Sequence, residues 1–293
     1  MILQPGLHDG IAEADYHADP APEPSASASI LKLLHARSPA HAWTAHPRLN
    51  PNQEHREPSS AMRFGSAAHA LLLGSAKVFS IDADSWRSKD AKAERDAHEK
   101  MGNYALLKED HDRAVAMVAM LRQGLSGHEI GDFPTDGGAG ERTMIWQEDG
   151  IYCRGRLDWY SQKANRIIDY KTTGGSADPG QFARNLFDMG YDFQALLYPM
   201  GVQAITGDLP LFYFVVQETD PPFAFTVVTL DDIAREHSMN KLSTAFGRWR
   251  ECLASGKWPG YGRHVFRASP PVYELKREEE KALASSAIVD FAG

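Results

Sequence analysis

The stretch GRLDWYSQKANRIIDYKTT (residues 155–173) decides how this chain is read. It contains the second half of one strand-like run, IYCRGRLDWY (151–160), a polar turn, SQKAN, and a second run, RIIDYKT (166–172). Strand side chains alternate faces. One face of the first run therefore carries Tyr152, Arg154, Arg156 and Asp158, and the other carries Ile151, Cys153, Leu157 and Trp159. In the second run Ile167, Asp169 and Lys171 share a face. Pairing through the SQKAN turn brings Asp158 and Asp169 toward one point, with Lys171 two residues further along. A preceding run, ERTMIWQ (141–147), joins the first through the hairpin signal Glu148-Asp149-Gly150 and starts with Glu141, which can lie beside Asp158.

Carboxylates held this close repel one another unless a cation lies between them. Hard oxygen donors select Mg²⁺ or Mn²⁺. Such an ion acidifies a bound water and neutralises charge that builds on a phosphate. A lysine beside it can orient that water or stabilise the added charge. Two acids and a lysine in this arrangement describe a metal-dependent phosphodiester hydrolase. Gly155 allows close backbone approach beside them, and Arg154 and Arg156, on the face of Asp158, suit phosphate oxygens.

Around this centre the sequence reads as helices, then three antiparallel strands, a helical pair and a closing hairpin (210–218 and 223–230). AMRFGSAAHALLLG (61–74) is a helix of mostly small and apolar residues ended by Gly74, and His69 stands out in its apolar second half. Asp178-Pro179 caps and opens another helix. YDFQALLYPMGVQAIT (191–206) follows and puts Gln194 and Tyr198 on one face. LDDIAREHSMNKLSTAFGRWRECLASG is a long amphipathic helix near the end. This order predicts an α/β chain, with helices packed on a mixed α+β sheet. Residues 1–24 read as an irregular arm, 25–267 as one domain and 268–293 as a tail.

Composition sets the outer limits. The 293 residues are 43% hydrophobic and 24% charged, enough apolar material for a substantial core. No run of 18 apolar residues and no secretory leader are visible, so no membrane partner is expected. Cys153 and Cys252 are far apart, which disfavours a structural zinc or iron–sulfur site and makes a reducing cytosol the default. The net charge of −8 argues weakly against nucleic acid. Arg142, Arg154, Arg156, Lys163, Arg166 and Lys171 nevertheless crowd around the opening stretch.

GSAAHALL, GRLD, DYK and QALLY resemble, in this order, the motif set of the RecB-like branch of the PD-(D/E)XK nucleases. The chain is most similar to the phage and prophage exonuclease VIII (RecE-type) family, with SASASILKLLHARSPAHAW and FGSAAHALLLG resembling that family's N-terminal segments. The resemblance spans roughly 25–260. It implies a restriction-endonuclease-like core with N- and C-terminal helices. It implies metal ligation by His69, Asp158, Asp169 and the Tyr170 carbonyl, and a catalytic Lys171. Glu141 matches an acid of the related lambda-type exonucleases. Gln194 and Tyr198 match a helix that positions DNA, and Ser29 and Lys32 fall where a DNA contact is possible. The cysteine cluster of iron–sulfur members is missing.

The implied activity is Mg²⁺-dependent exonucleolytic degradation of linear duplex DNA, 5′ to 3′, leaving a 3′ single strand for recombination. A single-strand annealing protein, a ring-like homo-oligomer (trimer or tetramer) and a cytoplasmic location in a bacterium or phage-infected cell come with it. Two other readings stay open. One is an endonuclease or single-strand-specific nuclease on the same core; the other is a non-catalytic DNA-binding or scaffold protein.

Overall fold

A computed structural model describes residues 1–53, 57–131 and 133–290, the side chains of 282–290 apart. It divides into two compact units, Met1–Gly260 and Tyr261–Gly293. Among the described residues no helix is long and apolar enough to cross a membrane.

The first unit is built on a six-stranded mixed sheet. In chain order its strands and helices are β1 (Gly6–His8), α1 (Glu13–His17), α2 (Ala28–Ala36), α3 (Pro39–Ala45), α4 (Ser60–Leu73), β2 (Val78–Ile81), α5 (Lys89–Lys100), β3 (Tyr104–Leu107), α6 (Lys108–Leu125), β4 (Ala139–Glu148), β5 (Ile151–Ser161), β6 (Arg166–Thr173), α7 (Pro179–Asp188), α8 (Asp192–Thr206), β7 (Leu211–Glu218), β8 (Phe225–Val228) and α9 (Asp232–Ser255). The sheet order is β1-β4-β5-β6-β7-β8. All neighbours are antiparallel except β6 and β7, which run parallel because α7 and α8 carry the chain back across the sheet.

Local chemistry explains the central hairpin and the helix ends. The turn between β4 and β5 is Asp149-Gly150, with φ of 46° and 79°, the positive pair that matches strand twist. Ser161 Oγ accepts from Ala164 N at 3.2 Å and closes the next turn. Asp178 caps α7 by accepting from Gln181 N at 3.0 Å, with Pro179 in the first turn. Gly74, in the left-handed region, ends α4 where the sequence expects it.

Two cores lie on the two faces of the sheet. On one, α2, α8 and α9 bury Leu31, Leu34, Phe193 and Trp249 against Met144, Trp146, Leu157, Ile167 and Phe214. On the other, α4 and α6 bury Phe64, Met117 and Leu121 against Trp159, Ile168, Tyr170 and Val215. A parallel pair, β2–β3, carries α5 and forms a small satellite core around Ile81 and Ala105.

The segment 1–24, expected as an irregular arm, is built into the unit. β1 pairs with β4 and forms the edge of the sheet, with His8 opposite Thr143, and α1 follows. The sequence reading also lacks the β2–β3 pair. Strands of three or four residues are too short to show a period. In the second unit, α10 (Val272–Asp290) leaves Val272 and Tyr273 exposed.

Candidate active site

The site is a fork between β5 and β6. Their ladder runs through Ser161↔Arg166, Tyr160↔Ile167 and Trp159↔Ile168 and then stops. The next positions in register are Asp158 and Asp169. In place of a further ladder bond, Asp158 Oδ2 accepts from Tyr170 N at 2.9 Å. A side-chain oxygen thus satisfies a strand N–H that would otherwise be orphaned, and this insertion opens the strands.

The neighbouring ladder is disturbed at the same level. Gly140↔Trp159 and Arg142↔Leu157 flank the position where Glu141 faces Asp158. Glu141 has φ of 56°, a left-handed conformation that costs about 1–3 kcal/mol for a residue with a side chain and concentrates at functional sites. Glu141, Asp158 and Asp169 therefore form one transverse row over β4, β5 and β6. The kink also corrects a sequence expectation. Strict alternation puts Leu157 and Trp159 on one face, whereas Leu157 packs in one core and Trp159 in the other. The faces exchange across Asp158.

His69 reaches the row from α4, whose small residues Ala67, Ala68 and Ala70 are buried. Its Nδ1 lies 3.4 Å from Asp158 Oδ2, and its ring lies 5.0 Å from that of Tyr170. Lys171 Nζ is ion-paired with Asp169 Oδ1 and sits 5.0 Å from the Tyr191 ring. About a fifth of the His69, Asp158 and Lys171 side chains remains open (23%, 19% and 20%), against 2% for Asp169. The row is partly open at Asp158 and closed at Asp169.

Burial dominates the proton chemistry. It pushes Asp158 up to about 6, helped by Glu141 and opposed by Lys171 and the Tyr170 N–H. It likewise pushes Asp169 up to about 6, with Lys171 opposing and Asp158 adding. Burial, reinforced by Lys171, holds His69 below the usual histidine range and favours the neutral, ligating ring. Burial pulls on Lys171 too, but Asp169 and Asp158 outweigh it and keep the ammonium charged.

Among the described residues no three His, Cys, Asp or Glu side chains form a ready-made metal cage. The donor set still fits a hard divalent ion. Two buried carboxylates are held above their ordinary range, and an imidazole that burial keeps toward its neutral form stands beside them. Such an ion removes the repulsion that burial concentrates here.

Behind the fork, Gln194 Nε2 donates to Tyr198 Oη at 3.2 Å on α8. The Tyr198 ring packs on Gly155, where a Cβ would lie 3.0 Å from the ring and 2.4 Å from Met144 Cε. The close approach expected at Gly155 is thus made by a helix. Arg156 Nε donates to Glu141 Oε2 at 2.7 Å, and Nη1 donates to the Ile11 carbonyl at 2.8 Å. Ser29 is exposed and its hydroxyl lies 3.0 Å from that of Ser27. Lys32 Nζ donates to the Met189 carbonyl at 2.9 Å, at the α7–α8 turn.

Arg154 is a correction. It is 5% exposed, donates to the Ser25 carbonyl and hydroxyl at 2.9 and 2.8 Å, and pairs with Asp19 at 3.2 Å. The segment carrying Ser25 and Asp19 folds over it, and it presents no free fork to a phosphate. Sequence reasoning missed Gln217. This buried side chain accepts from Tyr170 Oη at 2.7 Å and donates to the Met117 carbonyl at 2.8 Å, so it fixes the residue between Asp169 and Lys171. A glutamine inside an apolar strand, FVVQE, is the signal that was present.

A mixed sheet forked at two acids, with a lysine two residues beyond the second, defines a member of the PD-(D/E)XK nuclease superfamily. The chain belongs to the PDDEXK-like domain family of unknown function (DUF3799), whose model matches residues 27–266. Its fold is similar to that of a candidate exonuclease from Eubacterium rectale, solved at 2.19 Å, with 15% identity over 92% of this chain and 98% of that one and a TM-score of 0.60. A second structure, SSO0001, aligns over 54% of this chain and 70% of its own at 16% identity, with a TM-score of 0.24 that carries no argument. No curated protein matches the sequence.

Proposed function

We propose that this chain is a divalent-metal-dependent exonuclease of the RecE type that resects the ends of linear duplex DNA. The observation that carries this is the fork itself: Asp158 and Asp169 in adjoining register positions, with Lys171 paired to the second. The name of the Eubacterium rectale relative supports the exonuclease reading over an endonuclease or a binding protein.

In this reading Asp158, Asp169, His69 and the Tyr170 carbonyl hold Mg²⁺ or Mn²⁺. The ion, when bound, supplies an acidified water and charge neutralisation at the scissile phosphate. Asp158 and Asp169 must both be ionised to hold it, which sets a lower pH limit near their raised values. Lys171 keeps its proton beside Asp169 and orients the attacking water and the phosphate oxygen. Tyr170 stays fixed through Gln217, so the carboxylate and ammonium on either side of it hold their direction. Gln194 and Tyr198 support the fork from α8 and guide DNA, with Ser29 and Lys32 at its margins. Glu141 ends the acid row. Degradation runs 5′ to 3′ in a ring-like homo-oligomer in the cytoplasm, and the 3′ strand passes to an annealing protein.

The test is digestion of a linear duplex labelled separately at its 5′ and 3′ ends, with and without Mg²⁺, beside a covalently closed circle. Metal-dependent loss of the 5′ label with the circle spared is expected. A nicked circle would show an endonuclease, and DNA binding without cleavage under any divalent ion would show a binding protein.

A further inference from the structure

Glu141 is strained, stands opposite Asp158 and is nevertheless occupied. Arg156, two residues before Asp158, spends its Nε on the Glu141 carboxylate at 2.7 Å. Its Nη1 reaches the Ile11 carbonyl at 2.8 Å and the Thr143 hydroxyl at 3.4 Å. Three acceptors from two segments thus hold one guanidinium. The segment bearing Ile11 is itself tied down. β1 pairs with β4, and Asp9 takes the neighbouring Arg142 at 2.7 and 3.2 Å.

We infer that Arg156, itself anchored on the Ile11 carbonyl, is a positioning residue that holds Glu141 out of the metal position. This rests on the reading of the fork as a metal site. A third free carboxylate beside Asp158 would add negative charge and compete to ligate the ion. Paired to a fixed arginine, Glu141 leaves the ion to Asp158 and Asp169. The sequence reading of Arg156 as a phosphate contact makes the opposite kinetic prediction, because a lost phosphate contact weakens DNA binding.

The experiment compares the wild type with Arg156→Gln and the double variant Glu141→Gln/Arg156→Gln. The first readout is the Mn²⁺ concentration at half of the Mn²⁺-induced rise in melting temperature, which needs no turnover. Arg156→Gln is expected to lower that midpoint about three- to tenfold, because a unit positive charge near the site is gone. The double variant is expected to return it to the wild-type value. An unchanged midpoint in Arg156→Gln, or a double variant that stays shifted, overturns the inference.

The second readout is cleavage of linear duplex. A kcat about tenfold lower with KM unchanged is expected, tighter metal with slower chemistry. A raised KM with unchanged kcat overturns the inference in favour of direct phosphate contact. Should Arg156→Gln fail to fold, Arg156→Lys keeps the charge and loses the fork. Lower kcat at constant KM is expected there, and wild-type kcat overturns the inference. A wild type that shows the Mn²⁺ behaviour but cuts no DNA would sink the hydrolase reading and leave the role of Arg156 intact.

Discussion

Two buried clusters of charge sit four residues apart on β5, and they are built to opposite ends. At Arg154 the acid of the cluster, Asp19, is fully engaged. Asp19 accepts from the Ser25 amide at 2.9 Å and the Ser25 hydroxyl at 2.5 Å, and pairs with Arg154 at 3.2 Å and His46 at 3.3 Å. At Asp158 the acids gather fewer partners: Asp158 takes the Tyr170 amide and faces His69, and Asp169 is ion-paired with Lys171. Burial is the largest influence on all three aspartates. Asp19 nevertheless ends below its ordinary range, because His46, Arg154 and Ser25 outweigh burial. Asp158 and Asp169 end near 6, because their partners do not. Burial alone therefore does not separate these two clusters; the partners each acid gathers against it do.

The contrast can be broken most severely at the fork. Asp169→Asn or Lys171→Ala is expected to lower DNA cleavage by about a thousandfold or more, the scale of losing a charge-stabilising or proton-handling group. The same Asp169→Asn protein should melt, without metal, within a few degrees of the wild type. Near-wild-type cleavage by either variant would remove the fork from the chemistry.

At the Asp19 cluster the order of effects should reverse. Asp19→Asn leaves Arg154 buried without its counter-charge and is expected to destabilise the fold by about 3–5 kcal/mol in denaturant unfolding. A loss below about 1 kcal/mol would show that the cluster is as loosely held as the fork.

pH separates the two further. Asp158 and Asp169 rise from 3.8 to about 6 on folding, so between those values the native state holds more protons and their contribution to stability falls as pH rises. Asp19, lowered on folding, contributes stability above its unfolded value and loses it as pH drops through its folded one. Divalent metal must displace the protons at the fork. The Mn²⁺-induced rise in melting temperature should therefore be full at pH 8 and mostly lost at pH 5. An equal rise at both would mean that the ion binds elsewhere.

The smallest effect sharpens the support of the fork. Tyr170→Phe removes the donor to the buried Gln217 oxygen and should cost about 1–2 kcal/mol in stability. A larger loss of kcat than of stability would show that this bond aims Asp169 and Lys171. Equal, small losses would make it packing alone.

Much of this was legible locally. The strand runs around 141–147, 151–160 and 166–172, the Asp149-Gly150 turn, the cap at Asp178 and the stop at Gly74 are each written within a few residues. Their side-chain chemistry acts over that range, so the mixed α/β architecture follows from their order. The spacing of Asp158, Asp169 and Lys171 was equally plain, since a shared turn fixes the register of its two strands. What a strict period of two could not carry was the exchange of faces between Leu157 and Trp159. That exchange comes from a carboxylate replacing a ladder bond on one side and a strained Glu141 on the other. Arg154 was misplaced for the same reason that its partners were unforeseen: Asp19 and Ser25 lie more than a hundred residues away along the chain.

The sequence by itself thus determined which acids and which lysine stand beside one another, because near neighbours on paired strands have nowhere else to go. Only the tertiary structure decided which of the charged groups are spent and which are left free. The satisfaction of a buried lone pair depends on every segment that folds against it, and the segments that matter here, Ile11, Asp19, His46 and Gln217, come from distant parts of the chain.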